Sequence, residues 1–144
     1  MVSAHGWFYW ALLSAVFAAM TAIFAKMGLA GVNSDFATLI RTFVILLVLS
    51  AFVYFTGKWS NPSALGASTW LFLSLSALAT GASWVCYFRA LQIGEASKVA
   101  PVDKFSVVLV AIFAVAFLGE RPSLREWTGI LLVTSGVIVL SLAR

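Results

Sequence analysis

Charge is scarce in this chain. Only 10% of its 144 residues are Asp, Glu, Lys or Arg, while 62% are hydrophobic; soluble domains are nearer about 45–50% apolar and about 25% charged. A water-exposed globule is therefore excluded, and a mean hydropathy of +1.05 agrees. There is one cysteine, Cys86, so no internal disulfide can form and the redox compartment stays open. There is one histidine, His5, without cysteine or carboxylate company, so no metal site or other cofactor is expected. No Ser/His/Asp or Cys/His set can be assembled inside a membrane from this inventory, so no enzyme activity is expected. Basic residues are scattered over short connectors rather than gathered in a stripe or tail, which excludes a nucleic-acid partner. The period-2 alternation of a β-barrel is missing. The head, MVSAHG, lacks Lys and Arg, so the first apolar segment reads as a retained helix rather than a signal peptide.

What is present is long apolar runs. A hydrocarbon core of about 30 Å takes about 20 apolar residues per helix, and five segments qualify: about 7–27, 35–54, 69–91, 100–118 and 125–142. Helices satisfy their own backbone in lipid, so the fold class is an all-α integral membrane protein with five transmembrane helices. The connectors GLAGVNS, TGKWSNPSALGAS, QIGEASKV and GERPSL carry turn chemistry and leave no room for a soluble domain. Residues 1–144 therefore read as a single transmembrane domain. Ser34 and Asp35 suit the cap of the second span, Pro101 the first turn of the fourth, and Gly119 the position after its end.

An odd number of spans puts the termini on opposite sides. Trp7, Trp10, Trp59, Trp70 and Trp127, with Tyr9 and Tyr54, fall on the N-terminal side and read as an interfacial aromatic belt. Lys26, Asp35, Arg41, Arg89, Glu95, Lys98, Asp103 and Lys104 gather at or near the other side. Counting Arg144, six basic residues stand there against three opposite, which would put that side in the cytoplasm. Four of the six (Lys26, Arg41, Arg89 and Lys104) lie close to or within spans; leaving them out gives three against two, which orients nothing and permits dual insertion.

The stretches AIFAKMGLAGVNSDFATLIRT (22–42), SWVCYFRALQIGEASKVAPVDKFSVV (83–108) and FLGERPSLREWTGILLVTSGVIV (117–139) carry a combination of motifs: AL-x-x-G-x-A-S, a Pro opening the fourth span, and LGER before G-x6-G. Together these resemble the drug/metabolite transporter superfamily, specifically its EamA-type module, in the short five-helix bacterial and archaeal branch. The charged pair Asp103 and Lys104 departs from the apolar pattern of larger relatives. The resemblance implies an alternating-access carrier made of inverted repeats with its substrate between them. A lone odd-helix unit can supply its second half only by pairing with an oppositely inserted copy, giving an antiparallel ten-helix homodimer.

Charges inside spans are expected to face protein or an aqueous cavity. Arg41 lies inside the second span, and its planar guanidinium suits either a structural bridge to Asp103 or a bidentate grip on a carboxylate or phosphate. With Pro101 as first helical residue, Lys104 would sit one turn into the fourth span, against the macrodipole, and Asp103 would project about 100° away toward different neighbours. Lys26 and Arg89 end helices, where cations suit the dipole. Ser83, Trp84 and Tyr87 either anchor the interface or line a pathway. Arg41, Asp103 and Lys104, with Ser83, Trp84, Tyr87, Lys26 and Arg89 around them, form the expected substrate site. Its excess of cations favours a small anionic or zwitterionic metabolite. Gly129 and Gly136, two turns apart on one face of the fifth span, mark either the homodimer interface or a contact inside one subunit. The sequence thus supports a carrier moving a small molecule among membrane lipids, or else a non-transporting subunit that stabilises a partner membrane protein.

Overall fold

The computed structural model describes residues 6–142; His5 and Arg144 lie outside the described residues. Six α-helices account for most of them: α1 Gly6–Gly28, α2 Ser34–Phe55, α3 Ala67–Ile93, α4 Ala96–Asp103, α5 Ser106–Phe113 and α6 Leu124–Leu142. With α4 and α5 joined in one Ala96–Leu118 span, five segments are long and apolar enough to cross a membrane. No strand occurs among the described residues. Only 6% of the residues in the most apolar stretch of each span are buried within the chain, so most of them present surface to lipid or to another chain.

The helix ends follow local chemistry. At α2 the cap is Asn33, one residue before the expected Ser34 and Asp35; its side chain accepts from the amides of Asp35 and Phe36. Ser34 is instead buried, and its carbonyl accepts the Thr38 hydroxyl. The other end of α2 closes with Gly57 at φ +65°, where Gly57 donates to Tyr54 and Lys58 to Val53, a Schellman motif. Ser123 and Glu126 form a reciprocal capping box at α6, which the S-x-x-E spacing encodes.

The fourth span departs from expectation. The loop before it is so short that helix resumes at Ala96, and Pro101 lies inside α4 rather than opening it. Proline has no amide to give and crowds the carbonyl four residues back. From Lys104 to Val108 the amides of Lys104, Phe105, Val107 and Val108 reach carbonyls three residues back, a tightened turn separating α4 from α5. The span ends in a wide π turn, Ala114–Leu118, and stops at Gly119 in the left-handed region at φ +68°.

The chain divides into two compact units: Phe24–Gln92, and the chain on either side of it. In the first, the end of α1 meets an antiparallel α2 and α3, with Leu29, Ser34, Thr38, Phe88 and Leu91 buried toward one end. In the second, α4 and α5 pack on α6, where Val137 is buried.

Candidate functional site

Within Phe24–Gln92, three polar contacts tie helix ends together. Lys26 Nζ donates to the Leu91 carbonyl at 2.6 Å, covering one of the orphan acceptors at the end of α3. Gln92 donates to the Val32 carbonyl at 2.9 Å. Arg89 binds Asp35 bidentately, Nε to Oδ1 at 2.9 Å and Nη2 to Oδ2 at 2.6 Å. Both partners of that ion pair are well exposed, so its contribution is chiefly to fix the register of α2 against α3. Two expected site residues, Lys26 and Arg89, thus hold helix ends.

About two turns along α2 lies Arg41. Its guanidinium carbon sits 4.3 Å from the ring centre of Trp84 and 5.0 Å from that of Phe88. These rings share a face of α3 because they are four residues apart. Ring faces attract the cation but leave its in-plane N–H groups free for other acceptors. Arg41 Nη1 is buried and has no hydrogen-bond partner among the described residues. A buried donor left unmade costs about 1–3 kcal/mol, and more when charged. That arrangement can grip a carboxylate or phosphate. Phe88, only 3% exposed, was missed in the sequence, although the W-x-x-x-F spacing carried its signal.

Beside this stack, α2 and α3 diverge around an open cleft of about 620 Å³ lined by Asp35, Thr38, Thr42, Ser76, Thr80 and Trp84 among others. Three of its hydroxyls are spent locally: Thr38 on Ser34, Thr42 on Thr38 and Thr80 on Ser76, each donating to a main-chain carbonyl. Of the other expected residues, Tyr87 is half-buried with its ring edge toward Phe88, and Ser83 is exposed on α3.

Asp103 and Lys104 belong to the other unit. They were expected to point apart; instead Lys104 Nζ lies 3.4 Å from Asp103 Oδ2, with both side chains more than a third exposed. The tightened turn that follows α4 brings these neighbours together, and it leaves Lys104 as the residue between the end of α4 and the cap of α5 at Phe105. Gly129 and Gly136 lie on an exposed face of α6, and an added Cβ at either would meet nothing within 4 Å. The face of α6 carrying Ile130, Thr134 and Val137 is the more buried one.

A span-rich chain with a polar cluster at helix ends fits many membrane proteins, and comparison narrows the choice. The profile of the EamA-like transporter family matches residues 5–142. The chain belongs to the EamA-like transporter family. A Sinorhizobium sp. protein named "Uncharacterized transporter in cobO 3'region" is 58% identical over 137 residues, 95% of this chain and 97% of that protein. A Yersinia pestis (strain Pestoides F) protein named "Probable 4-amino-4-deoxy-L-arabinose-phosphoundecaprenol flippase subunit ArnE" is 30% identical over 84 residues, 58% of this chain and 74% of its own. No solved structure matches. The chain is a multi-pass protein of the cell membrane with a transport role, as its family and its five apolar spans require.

Proposed function

We propose that this EamA-family chain is a secondary carrier that moves a small anionic or zwitterionic metabolite, without transforming it, by alternating access as an antiparallel homodimer. Residues 1–144 act as one five-helix module, and two oppositely inserted copies supply the inverted halves. Arg41 is the anion anchor, Trp84 and Phe88 hold it, and Tyr87 and Ser83 flank the path. The exposed Asp103–Lys104 pair contributes a second, weaker charged station, and Lys26 and Arg89 keep the helix ends in register. The observation carrying this reading is the buried Nη1 of Arg41, a charged donor with no acceptor among the described residues. The glycine face of α6, open in the single chain, supports the dimer.

Purified protein in liposomes tests it. Metabolite flux or tracer exchange that disappears in Arg41→Ala, with insertion and dimerisation intact, is expected; full flux in that variant would remove Arg41 from the site. A second reading is a non-transporting subunit of a larger membrane assembly, favoured by the word "subunit" in the name of the Yersinia relative. It predicts no flux from the purified chain and steady co-purification with one membrane partner.

A further inference from the structure

We infer that the ligand is an amphipathic anion, with its charged group on Arg41 and an apolar body in the cleft between α2 and α3. This rests on the anion reading of Arg41 above and adds what the rest of the ligand must be. Trp84 joins the two parts: its ring carries the Arg41 guanidinium at 4.3 Å and also lines the cleft. The cleft volume of about 620 Å³ is that of a small-molecule site. Its lining sets the chemistry. Of four hydroxyl side chains there, Thr38, Thr42 and Thr80 already donate to carbonyls of their own helices. The acid at its end, Asp35, is engaged by Arg89 on both carboxylate oxygens. What remains is hydrocarbon surface from Leu39, Leu73 and Val85 with the indole of Trp84. A sugar or amino-acid body would give up hydrogen bonds to water there with few replacements, whereas an alkyl or aryl body loses nothing. Charge complementarity selects the other end of the ligand, because Arg41 holds a buried N–H without an acceptor among the described residues.

A series of alkyl phosphates tests this. Trp84 serves as reporter in a variant whose other five tryptophans are Phe, with the protein in zwitterionic nanodiscs. Methyl, butyl and octyl phosphate are titrated, with octanol as the uncharged control. Affinity should rise with chain length, by up to roughly fourfold for each methylene that the cleft fully buries. Gly81 lines the cleft and an added Cβ there meets nothing within 4 Å, so Gly81→Leu puts side-chain bulk into that space. That variant, and Leu39→Phe from the opposite wall, should bring octyl phosphate down to the level of methyl phosphate while methyl phosphate still binds. Arg41→Gln should lose preference for the phosphates over octanol. A flat series in the parent protein, with methyl phosphate bound, overturns the amphipathic assignment and leaves the anion site standing. No preference for phosphate over octanol in the parent overturns both.

Discussion

Arg41 and Lys104 are both cations placed within apolar spans, and the chain treats them differently. Lys104 follows the last residue of α4, more than half exposed, with the neighbouring Asp103 as its partner at 3.4 Å. Arg41 is half-buried against two aromatic faces of another helix and keeps an unpartnered N–H. An exposed pair of adjacent residues is answered by water and by itself, and is worth about 0–1 kcal/mol. A guanidinium laid against rings is fixed in orientation while its fork stays free, which suits a site meant to receive an anion. Charge inside a span is therefore not one signal; what surrounds it separates a solvated pair from a cation held against aromatic rings.

That contrast can be broken in graded ways. The largest effect is expected from Phe88→Ala, which removes a buried ring from under Arg41 and from the α2–α3 contact. It should cost about 3–5 kcal/mol of stability, read as a strong drop in melting temperature in detergent. Phe88→Leu should keep most of the fold and lose part of anion binding. Next comes Arg41→Ala, which should lower anion affinity by roughly 10- to 100-fold through loss of a charged hydrogen bond, with little change in melting temperature. Equal losses in Arg41→Ala and Lys104→Ala would erase the distinction between the two cations. Lys104→Ala alone should change stability by less than about 1 kcal/mol and slow transport without stopping it.

Two further tests concern assembly. Gly129→Leu with Gly136→Leu should insert and fold, because the space around both positions is open in the single chain. It should shift detergent-solubilised protein from dimer toward monomer; an unchanged dimer would place the interface elsewhere. Single cysteines in the loops after α2 and before α6, in a Cys86→Ala background, should label with an impermeant reagent to about half in intact cells if both orientations occur. All-or-none labelling would contradict dual insertion.

Much of the architecture was legible in the sequence, because spans are set by apolar length and by the Gly, Asn and Pro chemistry between them. The five spans fall within a few residues of their expected ends, and Gly119 stops the fourth as expected. Lys26 sits at the end of α1, as the sequence placed it, but the carbonyl it holds belongs to the end of α3. The fourth span was misplaced because proline usually opens helices; here a connector of only Gly94 and Glu95 lets the helix restart before Pro101. The partners of the site were not legible. Asp35 and Arg89 lie 54 residues apart. The spacing of Trp84 and Phe88 defines a face of α3 but says nothing of which helix meets it. Tertiary register decides both.

The central claim is that the stacked Arg41 guanidinium is the anion-binding group. Its most direct test is calorimetric titration of methyl phosphate into the parent protein and Arg41→Lys, both in zwitterionic nanodiscs. Lysine keeps the charge but has neither the planar fork nor the stacking surface. The account predicts measurable binding to the parent and a loss of roughly tenfold or more in Arg41→Lys with the melting temperature preserved. Equal affinity in the two proteins would contradict it.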